Sequence, residues 1–225
     1  MRIAIKKTKV FKYEELPDDV KDTVVEKLYD INVDYEWYEG TIDWFREECE
    51  RKYGITFDKV YFDLDRDNYL YFDTASVIDS KKLLKALKKC WDIPEYHYRK
   101  IRENIDQIRF IINRTLFAGA RGRNWGEIED YSSPNNRGKY ISDYLEIHGN
   151  FENWVYDLTQ EFKLILKKDY EELTTRDMIE ETIEMNDYEF TEEGELYIWG
   201  GQEIWKGNLD LTNWQLGSWE EKKTK

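Results

Sequence analysis

Histidine, cysteine and proline are scarce in this chain: two, two and three among 225 residues. Each scarcity closes off chemistry. His97 and His148 are the only imidazoles and there is no Gly-x-Ser-x-Gly turn, so a serine or cysteine nucleophile has no base placed by a motif. Zinc wants three or four Cys or His ligands at short spacing, whereas Cys49, Cys90 and the two histidines are spread over 100 positions. Both cysteines fall on expected helices without ligand spacing, which reads as buried thiols in a reducing compartment. No apolar run approaches the roughly 18 to 20 residues that span a bilayer, and the first six residues lead into charged sequence without a leader's apolar segment. A soluble, cytoplasmic protein without a membrane partner is expected. Gly119, Gly122 and Gly126 have neither the spacing nor the lysine of a phosphate-binding loop. No catalytic residue, cofactor or metal is expected.

What the chain has in quantity is acid and aromatic side chains. Apolar residues make up 40%, charged residues 36% and aromatics 16%, a mixture rich enough in core-forming side chains to fold. The length suits one α+β domain, taken as residues 1–197, followed by an extension over residues 198–225 that carries Trp199, Trp205, Trp214 and Trp219. The net charge of −14 opposes generic nucleic-acid binding, because a polyanion would approach against a repulsive field. Two partner classes stay open: a basic protein surface, or a small anion held by a local basic pocket. Homo-oligomerisation is left open too.

Spacing sets out the elements. A first strand is expected over residues 3–11, then a helix from Pro17 with Val20, Val24, Val25 and Leu28 on one face. A second helix from about Asp34 carries Tyr38, Ile42, Phe45, Cys49 and Tyr53, with Trp37 and Trp44 widening its core stripe and Gly54 ending it. From Lys59 to Thr74 the period is two, and Asp65 to Asn68 turn a hairpin. Ser80 is expected to cap a helix with Leu83, Leu87, Cys90 and Trp91 inside and Lys81, Lys82, Lys85, Lys88 and Lys89 on a solvated outer face. After Pro94, the series Ile101, Ile105, Ile108, Ile112 and Leu116 predicts a long helix. Residues 118–138 break every pattern and read as a loop. Val155, Leu158, Phe162 and Ile165 predict another helix; Thr174 is expected to cap the last one, which carries Met178, Ile179 and Ile183. Residues 190–197 predict a hairpin turned at Glu192, Glu193 and Gly194. The fold class is therefore α+β, with amphipathic helices on a small antiparallel sheet formed by the two hairpins and the first strand.

Two surfaces hold candidate ligand-binding residues. On the first hairpin, Tyr61, Tyr69 and Tyr71 share the outer face if Phe62, Leu64, Leu70 and Phe72 point to the core. In the expected loop, Arg121, Arg123, Asn124 and Trp125 bring cations, an amide and an indole together, a combination able to hold a phosphate and stack on a base. Asp63, Asp65 and Asp67 echo the start of a calcium loop but lack its glycine and its closing glutamate, so they read as a solvated acidic edge.

The segment from Tyr13 to Pro17, that from Lys27 to Trp37, the strand Val60 to Leu64 and the block from Met178 to Gly194 resemble phage-encoded proteins commonly labelled "antitoxin of toxin-antitoxin stability system". The hairpin turn, often glycine-rich in that set, is here Asp65-Arg66-Asp67-Asn68, and the Trp-rich tail is an addition to it. The resemblance implies an accessory phage protein acting in the bacterial host cytoplasm against host defence. The function expected first is non-catalytic sequestration of a nucleotide-derived immune signal. The alternative is an acidic inhibitor or antitoxin-like partner that binds a host defence protein or toxin directly, and an enzyme of unrecognised type stands third.

Overall fold

The computed structural model describes residues 8–34, 36–64, 68–116, 122–131 and 150–197. The expected strand over residues 3–11 lies partly outside them, and the Trp-rich tail entirely so. The fold is α+β with antiparallel sheets. The chain divides into two compact units, Met1–Tyr29 with Glu180–Lys225, and Asp30–Ile179.

The smaller unit begins with a two-residue strand β1 (Phe11–Lys12), a 3-10 turn and helix α1 (Asp18–Lys27). Pro17 precedes α1, where its missing N–H and fixed φ cost nothing, and Asp18 and Asp19 in the first turn suit the positive end of the helix dipole.

The larger unit opens with α2 (Glu39–Tyr53), whose amphipathic stripe buries Phe45 and Cys49 and which ends at Gly54 in the left-handed region, φ 66°. It starts later than the expected Asp34. Trp44, expected in the core, is half exposed at 49%, while Trp37 packs against Tyr38, Phe62 and Tyr170. Short strands follow: β2 (Ile55–Phe57), β3 (Val60–Asp63), β4 (Tyr69–Phe72) and β5 (Ala75–Val77). Next come α3 (Ser80–Cys90) and α4 (Glu95–Glu103). The cap of α3 is Asp79 rather than Ser80, its Oδ1 accepting the Lys82 N–H at 2.9 Å. Cys90, expected to be buried, is exposed at the end of α3.

The long helix expected after Pro94 stops at Glu103. A 3-10 turn over Ile105–Gln107 leads into strand β6 (Ile108–Leu116), paired over nine residues with β7 (Gly122–Asp130). Ile108, Phe110 and Ile112 are buried and alternate with the exposed Arg109 and half-buried Ile111, a period of two concealed by isoleucines that also fall at helical spacing. The β-branched and aromatic run suits a pleated strand, and pairing with β5 on one side and β7 on the other settles the choice. Residues 122–130, expected as loop, are thus a sheet strand.

The sheets differ from expectation as well. The largest runs β2-β5-β6-β7, and the β3-β4 hairpin is a separate two-stranded sheet. Helix α5 (Phe151–Leu173) supplies the other side of the core. Phe162 on α5 stacks on Phe45 at 3.9 Å between ring centroids, and Phe57 stacks on Phe72 at 4.3 Å. Thr174 ends α5 by donating to the Tyr170 carbonyl; Thr175 caps α6 (Arg176–Met185), accepting the Met178 N–H at 3.5 Å. Strands β8 (Glu189–Phe190) and β9 (Leu196–Tyr197) then join β1 in a three-stranded sheet of the smaller unit, without the first hairpin that was expected to share their sheet. Gly194, at φ 74°, turns them where a side chain would press on Val20 and Val24.

The two thiols should behave differently. Burial among core side chains, with Glu161 and Glu48 nearby, pushes the Cys49 thiol up to about 12, which leaves almost no thiolate at neutral pH. A thiol-reactive dye is expected to label Cys90 alone in the folded protein and both cysteines after denaturation, read by peptide mass mapping. Prompt labelling of Cys49 without denaturant would show that α2 is not seated as described.

Candidate functional site

The candidate residues converge on β7 but on opposite sides of it. Successive side chains of a strand point to opposite faces, and β7 buries Gly122, Asn124, Gly126 and Ile128 while Arg123, Trp125 and Glu127 lie on the other face. Arg121 lies outside the described residues. The sheet therefore separates Asn124 from Arg123 and Trp125, which an irregular loop would have left free to converge.

On the inner face, the Asn124 side chain is only 2% exposed and acts as an extra rung between β7 and β4. Its Oδ1 accepts the Phe72 N–H at 2.6 Å, and its Nδ2 donates to the Phe72 carbonyl at 3.1 Å and to the Asn113 carbonyl at 3.3 Å. An amide so engaged is spent on architecture. Beside it, Gly122 lets β7 approach the hairpin, since a Cβ there would stand 2.6 Å from the Tyr71 ring.

That contact corrects the reading of the tyrosines. Tyr71, placed by alternation on the wet face, is 4% exposed because β7 covers it, and burial pushes its hydroxyl pKa up. Leu70 and Phe72 fill the core from the opposite face of β4, as expected. Tyr61 stacks on Tyr71 at 5.2 Å and Tyr69 lies 5.9 Å from it, so the three do form one aromatic ladder. Arg114 of β6 reaches this hairpin and pairs with Asp73.

On the outer side, Arg123 is exposed and pairs with Glu152 at 3.8 Å. An open cleft of about 360 Å³ lies between β7 and the start of α5, lined by Trp125, Gly126, Glu127, Ile128, Asn150, Phe151 and Glu152. Gly126 allows this approach, because its Cβ would meet the Phe151 ring at 2.6 Å and the Phe151 carbonyl at 2.8 Å. Phe151 is 2% exposed and forms the floor, so the cleft offers the Trp125 indole and the carboxylates of Glu127 and Glu152, with Arg123 at its border. Sequence reasoning found Trp125 and Arg123 but missed Glu127, Phe151 and Glu152. The glycines of β7, read as loop signals, were the available clue.

Among the described residues, no group of three or more His, Cys, Asp or Glu side chains could hold a metal ion, and no helix is long and apolar enough to cross a membrane. Asp65, Asp67 and His148 lie outside those residues. Compared with protein-family models, curated proteins and solved structures, the chain matches none.

Proposed function

We propose that this chain is a non-catalytic binding protein that docks a basic segment of a partner protein, the alternative to nucleotide sequestration. The observation that carries it is the exposed part of the cleft's lining: Trp125 with the carboxylates Glu127 and Glu152, over a floor formed by the buried Phe151. Such a site receives a lysine or arginine side chain, whose charge is met by carboxylates and whose planar or methylene part lies on the indole. A phosphate would meet the same carboxylates unfavourably, and Arg123, which borders the cleft, has Glu152 at 3.8 Å. The net charge of −14 adds long-range attraction for a cationic partner and speeds encounter at low salt. In the phage setting that the sequence resemblance implies, the partner would be a host defence protein or toxin.

The test is calorimetric titration of an arginine- and lysine-bearing peptide and, separately, of a panel of nucleotides and cyclic dinucleotides. The peptide is expected to bind. Glu127→Gln with Glu152→Gln should weaken it by about tenfold or more, in line with about 1.5 to 3 kcal/mol for a buried charge-assisted bond discounted for exposure. Nucleotide binding that Arg123→Ala abolishes, with no peptide binding, would overturn this reading in favour of anion sequestration.

A further inference from the structure

The strongest local departure from the chain's acidity lies on α3 and α4. Between residues 80 and 102 there are eight Lys or Arg and two carboxylates, a local excess of six positive charges in a chain of net −14. From sequence alone the lysines of α3 form a solvated face. The structure adds that α4 extends the same patch: Lys88 of α3 pairs with Glu95 of α4 and lies over the Tyr98 ring at 4.4 Å, joining the two helices.

We infer that the exposed face of α3 and α4 binds a short single-stranded nucleic acid, with lysines and arginines on its phosphates and Tyr96 as a stacking platform. Lys81, Lys85 and Lys89 recur every four residues, so they rise about 6 Å apart along one side of α3. All three are exposed. Lys81 has only a long, exposed pair with Asp106 at 3.8 Å, and Lys85, Lys89, Arg99 and Arg102 have no ion-pair partner among the described residues. Tyr96 is 57% exposed, with Lys100 over its ring at 5.7 Å and His97 edge-on at 5.3 Å. Cations interleaved with an open aromatic face are what a single strand needs, because phosphates meet the cations while any base can stack on the ring.

Two other polyanions are less well matched. An anionic bilayer needs an apolar helix face to insert, and that of α3 is already buried through Leu83, Leu84 and Leu87. An acidic polypeptide would use the cations but not Tyr96. The overall negative charge limits the site without forbidding it: screening confines the opposing field to roughly 8 Å at physiological salt, so contacts decide and the bound strand is short. Asp92, Glu95 and Glu103 are the carboxylates of α3, α4 and their connection, with Asp106 at the edge against Lys81, and Glu95 is held by Lys88.

The test is fluorescence anisotropy of the full chain with a labelled twelve-nucleotide oligothymidine, a probe of about the size single-strand sites accommodate. Binding is expected, with affinity falling as salt rises at a log–log slope of roughly −2 to −4, as about four phosphate contacts imply for a single strand. Lys85→Glu with Lys89→Glu, both exposed, should weaken it by at least about tenfold and flatten the slope; Tyr96→Ala should cost about fivefold or more with the slope unchanged. Circular dichroism of each variant separates loss of binding from loss of fold. No binding by the wild-type chain at low salt, binding indifferent to these substitutions, or equal competition by polyglutamate or anionic vesicles would each overturn the inference. Because the cleft of β7 and α5 shares no residue with this patch, Glu127→Gln with Glu152→Gln should leave oligonucleotide binding unchanged.

Discussion

Asn124→Ala is expected to destabilise the protein by about 3 kcal/mol or more, because it strands the buried N–H and carbonyl of Phe72, each costing about 1 to 3 kcal/mol when unpaired. Those two groups belong to β4, 52 residues away in sequence, and have the Asn124 amide as partner. Water cannot replace it easily, since Phe72 is fully buried and Asn124 nearly so. Asn124→Asp should also destabilise, because a carboxylate keeps the acceptor for the Phe72 N–H but has no donor for its carbonyl and places a charge in the core. Urea denaturation followed by tryptophan fluorescence reads both effects. A stable Asn124→Ala protein that loses a ligand would instead return this residue to a binding role and show the β4 to β7 link to be dispensable.

Phe162→Ala is expected to have the larger effect, about 3 to 5 kcal/mol, the range for emptying an aromatic site in a close-packed core. Phe162 is completely buried, stacks on Phe45 with an interplanar angle of 3°, and lies within 6.4 Å, centroid to centroid, of both Phe57 and Phe72. Its removal leaves rings from α2, β2 and β4 facing a void that they cannot all fill. The same denaturation series should include Leu164→Ala as a reference. Leu164 is 64% exposed on the same helix, and its loss should change stability by no more than about 0.5 kcal/mol. Equal effects at 162 and 164 would mean that α5 does not present this face to the core.

Together these predictions separate architecture from recognition along β7. Inner-face changes at Asn124, Gly122 and Gly126 act on stability, because each position meets β4 or α5 at close range. Outer-side changes at Glu127 and Glu152 act on binding, because those side chains line an open cleft. A strand with glycine at two buried positions is an adaptation to neighbours: the Tyr71 and Phe151 rings occupy the volume that side chains would have taken.

The amphipathic helices were legible from sequence, as in α5, where Val155, Leu158 and Phe162 recur at the spacing of a buried face, although the structure completes that face with Leu166 and leaves Ile165 only partly buried against it. So were both hairpins, where alternation and turn residues agree. Local information of this kind determines an element whenever one period dominates and its boundary is marked, as Gly54 marks the end of α2 and Pro94 the start of α4. It failed at β6, where Ile108 and Ile112 satisfy the periods of helix and strand at once, and at β7, where glycines signal a loop to any local rule. It also placed Tyr71 in water, since alternation specifies a face but not what will cover it. Only tertiary pairing decided these cases. Nine residues of β7 satisfy the backbone of β6 on one side and, through Asn124, that of β4 on the other, a gain available only when segments far apart in sequence meet.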